Sequence, residues 1–281
     1  MTDPVDPLPE DPRAVLRRHG LAAKRSWGQS FMISRRALRE IATLAGDAPG
    51  RTVVEVGAGA GTLTGALLQR EARVVAIERD RDMCRVLRAE LGSSERLELV
   101  EEDAARFDYA SRVSGGRGAI AGNIPYQITG RILRRVLDIS PPPLRVVVTV
   151  QLEVAERLCA RAGEPSRAAL SALTRARFEP RMVLRLAPTA FFPPPKVRSA
   201  VVHLEPLPRP VFETPELAPR YDRLVKAAFL RRRKTLCNSL AAAGLGEKRK
   251  LEKLIEKTGI DPRARAETLT EQQLAALART I

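Results

Sequence analysis

The sequence predicts an α/β chain: an open, mostly parallel sheet with helices on both faces, followed by a small all-helical C-terminal domain. Three observations carry this. Short apolar, β-branched runs alternate with helical patterns from residue 52 to about residue 176. Five prolines fall within residues 205–219 and interrupt that alternation. Beyond them every periodic segment has the helical repeat.

The elements follow in order. Residues 1–12 carry four prolines and several acids and read as a disordered leader. Asp11-Pro12 introduces a short basic helix over residues 13–19 that Gly20 closes. A basic, aromatic segment runs from Lys24 to Met32, and Ser34 can cap a helix reaching residue 45. Strands are expected at 52–56, 73–77, 97–100, 119–121 and 144–150, the last a run buried on both faces. Helices are expected up to residue 69 and over 80–91, 128–137, 152–160 and 166–176, with closing strands at 182–186 and 199–204. The boundaries implied are a catalytic domain over 13–207 and a C-terminal domain over 208–281, with helices at about 221–243, 247–258 and 270–280.

Composition narrows the function. The 281 residues are 44% hydrophobic, which suits a folded globular protein. The formal net charge of +15 is shared almost evenly between residues 1–207 and 208–281. A basic tail on a neutral body is excluded, and a polyanionic partner is indicated, most simply nucleic acid. Cys84, Cys159 and Cys237 form no C-x-x-C pair, and only two histidines exist, so no disulfide framework and no metal site are expected. The N-terminus lacks a signal-peptide pattern and no apolar run is long enough to span a bilayer, so a cytoplasmic chain with no membrane partner is expected.

The chemistry sits at strand ends. Gly57-x-Gly59-x-Gly61 lies between a strand and a helix, where glycine permits a tight turn and close approach to a ligand. Glu78 ends the next strand, where a carboxylate can accept both hydroxyls of a ribose, and Asp103 ends the third. The spacing differs from the dinucleotide fingerprint by one residue and follows Glu55, which favours S-adenosylmethionine over NAD. Asn123-Ile124-Pro125-Tyr126 follows the fourth strand. An exocyclic adenine amine is a poor nucleophile because its lone pair is delocalised into the ring. Two acceptors, the Asn123 side-chain oxygen and the Ile124 carbonyl, can hold its N–H groups and aim the lone pair at a methyl donor. Pro125 stiffens that loop and Tyr126 offers a flat face to a base. Arg231-Arg232-Arg233-Lys234, read as four helical positions wrapping a full turn, suits phosphate contact, with Lys24 and Arg25 as further RNA contacts near the N-terminus.

These residues carry a resemblance. Trp27-Gly28-Gln29-Ser30-Phe31-Met32, Glu55-Val56-Gly57-Ala58-Gly59, Glu102-Asp103-Ala104, Gly122-Asn123-Ile124-Pro125-Tyr126, Phe191-Phe192-Pro193-Pro194-Pro195-Lys196-Val197 and Arg231-Arg232-Arg233-Lys234-Thr235 together resemble the ribosomal RNA adenine N6-dimethyltransferases, most closely their small-subunit members. The resemblance implies a Rossmann-like S-adenosylmethionine-dependent methyltransferase sheet. It also implies dimethylation of two adjacent adenines near the 3′ end of 16S rRNA in small ribosomal subunits, with a role in subunit biogenesis. Ser30 and Met32 would close over the cofactor, Gly57 would pack on its methionine part, and Gly59 would also bind it. Glu78 would hold its ribose and Asp103 its adenine amine, Ala104 would also bind the cofactor, and Asn123 would serve both cofactor and target. Tyr126 and Phe191 would sandwich the flipped target adenine. A monomer is expected. The alternatives are a large-subunit rRNA methyltransferase conferring antibiotic resistance and an assembly factor acting mainly by binding.

Overall fold

The runs of Val, Ile and Ala between residues 52 and 151 form parallel strands because they are covered on both faces, where β-branched and small side chains pack best. The computed structural model describes residues 9–24, 27–212, 214, 216–231 and 233–281. The chain divides into two units, Met1–Ala155 with Arg181–Pro206, and Glu156–Pro180 with Leu207–Ile281.

The first unit opens with α1 (Pro12–Arg18), capped by the Asp11 side chain with Pro12 at its first position. The leader expected over 1–12 therefore overlaps a helix start, and its residues 1–8 lie outside the described residues. Then come β1 (Phe31–Met32), α2 (Arg35–Ala45), β2 (Thr52–Val56), α3 (Thr62–Gln69) and β3 (Arg73–Glu78). They are followed by α4 (Arg81–Leu91), β4 (Leu97–Glu101), α5 (Ala110–Val113), β5 (Gly118–Asn123), α6 (Thr129–Leu137) and β6 (Arg145–Gln151). The chain leaves this unit within α7 (Leu152–Cys159), forms α8 (Ala169–Arg175), and returns within β7 (Phe178–Leu186) before β8 (Phe191–Phe192) and β9 (Ser199–Pro206).

Seven strands stand in the order β4-β3-β2-β5-β6-β9-β7. β2 through β6 are parallel, and β9 runs antiparallel to β6. The chain winds outward from β2 to β4, then returns to place β5 on the other side of β2. Strand order reverses between β2 and β5, and at such a point a crevice opens beyond the carboxyl ends of the strands. Val56 pairs with Gly122, which sets residue 57 beside residue 123. Only glycine fits at 122, since a Cβ there would stand 2.6 Å from the Val56 carbonyl oxygen. On one face Val53, Ala76, Ala121 and Val147 pack with Leu38 and Ile41 of α2 and Leu63 and Leu67 of α3. Their sequence neighbours Val54, Ile77, Ile120 and Val148 are buried on the other face.

The second unit contains α8 and four later helices, α9 (Leu217–Ala228), α10 (Leu236–Ala242), α11 (Lys248–Lys257) and α12 (Glu271–Thr280). Its buried residues include Tyr221, Leu224, Leu236, Leu240, Ile255, Leu274 and Leu277. Arg167 is wholly buried here, with Nη1 2.7 Å from Glu271 Oε1 and 3.2 Å from the Ala160 carbonyl, and Nη2 3.1 Å from the Leu269 carbonyl.

Three expectations are corrected. The boundary at 207/208 captures only part of the division, because residues 156–180 group with the C-terminal helices. Tyr221 on α9 donates to the Ala172 carbonyl, and Arg177 pairs with Asp222 at 2.8 Å, which binds that segment into the second unit. The helix expected over 221–243 is two helices: α9 ends at Ala228, and Thr235 caps α10 by accepting from the Asn238 amide. Capping at Thr235 ends the need for helical backbone before it, and four adjacent cations gain nothing from one. Finally, α8 begins at Ala169 and β7 at Phe178, which leaves Ser166 in a turn and Ala168 extended, and lengthens the strand beyond 182–186.

Candidate active site

The turn after β2 is built from three glycines. Gly57, Gly59 and Gly61 have φ of 71°, 55° and 82°, a region open to glycine at little cost. The Ile77 carbonyl accepts the amides of Gly57 at 2.9 Å and Ala58 at 3.2 Å, so the turn is stitched to β3. A Cβ at Gly59 would stand 2.9 Å from the Phe31 ring. The Gly59 amide donates to Glu78 Oε2 at 2.8 Å, and Glu78 Oε1 accepts from the amides of Arg79 and Asp80, both at 2.8 Å. Turn and carboxylate therefore form one rigid corner. Burial pushes the Glu78 carboxyl pKa up, against those three backbone donors.

A cavity of about 270 Å³ opens at this corner. Every residue expected to hold a cofactor lines it: Ser30, Met32, Gly57, Gly59, Glu78, Asp103, Ala104 and Asn123. So do Ile124, Pro125 and Tyr126. Phe191, expected to face a target base, does not line it. It is 2% exposed and packs in the core with Met32 and Leu38, because β8 pairs with β1 and turns that side chain inward. The two-residue strands β1 and β8 carry no periodic signal in the sequence.

Asn123 ends β5. Its Nδ2 donates to the Ser30 carbonyl at 2.7 Å, which leaves Oδ1 as the acceptor available to a ligand. The Ile124 amide is tied to the Thr149 carbonyl at 3.2 Å, and among the described residues no donor is bonded to the Ile124 carbonyl. Tyr126 is fixed by its hydroxyl, 2.6 Å from Ser199 Oγ. Asp103 Oδ1 accepts the Ala105 amide at 2.9 Å, a local turn that sets its carboxylate at the wall.

Glu55 lines the same cavity from β2 and is 1% exposed, and its Oε2 has no hydrogen-bond partner. Burial pushes its pKa up to about 8, with the Glu78 charge adding to the rise. A buried acid with an orphaned oxygen is what a cationic ligand would satisfy. S-adenosylmethionine carries a sulfonium and an ammonium, so the acid-lined cavity fits it. Cation binding must ionise Glu55 below pH 8. Affinity for S-adenosylmethionine is therefore expected to rise with pH toward about 8 and then level off, with one proton released per ligand bound below that. Calorimetry in buffers of different ionisation enthalpy checks this, and Glu55→Gln should flatten the profile.

The proposed nucleic-acid contacts fare differently. Lys24 Nζ is held by Asp80 at 2.7 Å and Asp82 at 2.6 Å, which push its pKa up. It is an anchor within the protein, with about a third of its side chain still exposed. Arg25 and Arg232 lie outside the described residues. Arg231, Arg233 and Lys234 stand exposed in the turn before α10, and Lys248, Arg249 and Lys250 are exposed at the start of α11. The sequence reading missed Asp80, Gln29 and Gln127. Asp80 carries a signal: it follows Glu78 by two residues and caps α4. Gly28, with φ of 68°, carries one for Gln127, whose side chain occupies the place of a Cβ. Among the described residues no cluster of His, Cys, Asp and Glu could hold a metal ion, and no helix is long and apolar enough to cross a membrane.

Residues 20–281 match the model of the family described as ribosomal RNA adenine dimethylase. Ribosomal RNA small subunit methyltransferase A of Anaeromyxobacter sp. (strain K) is 46% identical over 280 residues, covering 96% of this chain and 97% of that protein. The protein of the same name from Myxococcus xanthus is 42% identical, covering 97% and 95%. Among solved structures, 23S rRNA methyltransferase ErmE is 28% identical with a TM-score of 0.68, covering 89% of this chain and 98% of that one. A dimethyladenosine transferase from Plasmodium falciparum shares the fold, with a TM-score of 0.72 at 23% identity, covering 88% and 95%.

Proposed function

Since the chain belongs to the ribosomal RNA adenine dimethylase family, we propose that it dimethylates N6 of two adjacent adenines near the 3′ end of 16S rRNA in small ribosomal subunits, using S-adenosylmethionine. One observation carries the reading. The acid-lined cavity and Asn123 are neighbours across the paired residues Val56 and Gly122, so a methyl donor and a target amine would meet at one corner. Relatives named for the small subunit share 38–46% of their residues with this chain, against 28% for the 23S rRNA enzyme, which favours the small-subunit substrate.

S-adenosylmethionine, when bound, supplies an electrophilic methyl group. Glu78 would hold its ribose, Asp103 and Ala104 its adenine end, and Glu55 its cationic end, with Gly57, Gly59, Ser30 and Met32 enclosing it. The work of the chain is positioning. Asn123 Oδ1 and the Ile124 carbonyl accept the two N–H groups of the target amine and draw its lone pair out of conjugation. Tyr126, held by Ser199, offers its ring to a base that has left its stack. No strong general base is required, because the methylated amine loses its proton readily. After the first transfer one N–H remains, and after the second none does, so Asn123 loses its grip on the product.

In this reading the first unit binds cofactor and target, and the second supplies phosphate contacts through Arg231, Arg233 and Lys234, with Arg232 in the same run. One chain carries every group the chemistry uses, so a monomer acts, in the cytoplasm where its substrate is found. Mass spectrometry of rRNA after reaction to completion with excess S-adenosylmethionine tests the proposal. N6,N6-dimethyladenosine at two adjacent positions of the small-subunit rRNA is expected. Methylation on a base other than adenine would refute it.

A further inference from the structure

Residues 27–32 line the cavity, and together with Lys24 they are fastened at three places. The first is Asp80, just beyond β3. Its side chain is 3% exposed, with Oδ1 2.7 Å from Lys24 Nζ and Oδ2 2.6 Å from Gln29 Nε2. The Lys24 amide closes the loop by donating to Gln29 Oε1 at 2.8 Å. The second is Asn123, through the Ser30 carbonyl. The third is the Pro193 carbonyl, which accepts from Ser30 Oγ at 2.9 Å, beside the pairing of β1 with β8. Ser30 directly follows Gln29, so whatever holds Gln29 also holds the carbonyl that orients the Asn123 amide.

We propose that Asp80 is a positioning residue for methyl transfer: it clamps Lys24 and Gln29, and through Ser30 it fixes the Asn123 amide with Oδ1 toward the cavity. This rests on the methyltransferase reading above. An amide has two orientations of nearly equal shape, and only a hydrogen-bond network selects one. Here the selecting acceptor is a backbone carbonyl on a segment with little regular structure, so its placement depends on the carboxylate that anchors it. Asp80 also accepts the Asp82 amide at 3.0 Å as the cap of α4. Asparagine caps as well as aspartate, so an amide at this position keeps the helix start and breaks the clamp.

The chemistry suggests a reciprocal test. In Asp80→Asn the introduced NH2 faces the Gln29 NH2, and rotating Gln29 only moves the conflict to the Lys24 amide. Adding Gln29→Glu supplies a carboxylate that accepts from both, and restores one negative charge beside Lys24. The chain has a single tryptophan, Trp27, inside the clamped segment and within 5.1 Å of Lys24 Nζ and 4.7 Å of the Arg79 guanidinium. Its emission reports the clamp without cofactor or RNA.

D80N is expected to shift Trp27 emission to the red in the free protein and to lower kcat by about tenfold or more. Its KM for small subunits should stay within about twofold, since the exposed cations are untouched. D80N/Q29E is expected to return both emission and most of kcat. Wild-type emission and kcat in D80N would overturn the proposal, as would a double variant no better than the single one. If the wild-type protein itself transfers no methyl to adenine, the functional reading has failed, whereas the emission measurements still report on the clamp.

Discussion

Asn123→Ala is expected to lower kcat by about 10²–10³-fold while leaving binding to immature small subunits unchanged. The substitution removes the Oδ1 acceptor that holds the target amine and the Nδ2 donor that ties β5 to the Ser30 carbonyl. It removes nothing from the exposed basic residues of the second unit, which lie on other elements. Single-turnover methyl transfer read beside cosedimentation with subunits separates the two functions. A variant that binds and does not transfer is the expected result, and it also distinguishes an enzyme from an assembly factor. A kcat within tenfold of wild type would mean that another group holds the amine.

Glu271→Ala is expected to destabilise the protein by about 3–5 kcal/mol, the cost of leaving a buried charge without its partner. Arg167 has no exposed surface, and the other acceptors of its guanidinium are neutral carbonyls, those of Ala160 and Leu269. Glu271 is the carboxylate that neutralises it, at 2.7 Å. Exchanging both residues for apolar ones, as in R167M/E271L, should cost far less than the single truncation, because no charge is then stranded. Urea midpoints for the three proteins provide the comparison. Equal midpoints for wild type and Glu271→Ala would show that Arg167 finds compensation elsewhere.

Much of the first unit is legible in the sequence, for a local reason. A parallel strand buried on both faces needs an apolar, β-branched run, and Thr52–Val56 and Arg145–Gln151 are such runs. Ligand groups in this kind of sheet gather at the carboxyl ends of strands, so Gly57, Glu78, Asp103 and Asn123 can be placed near one another from the sequence alone. What escapes is set by distant partners. Lys24 reads as a free cation until Asp80, 56 residues away, is seen to hold it. Phe191 reads as a stacking aromatic, yet its facing is decided by a two-residue pairing with Met32. The run before Thr235 reads as helix because Arg and Lys are good helix formers, while the cap that ends the need for one is a single hydroxyl. Residues 156–180 lie before the proline-rich stretch, and only contacts such as Arg177 with Asp222 assign them to the second unit.

The most direct test of the central claim is methyl transfer from labelled S-adenosylmethionine to two substrates side by side: small ribosomal subunits lacking dimethyladenosine, and protein-free large-subunit rRNA. The account predicts label on the small subunit, approaching four methyl groups each, and little on the other. Label confined to the large-subunit RNA would contradict it.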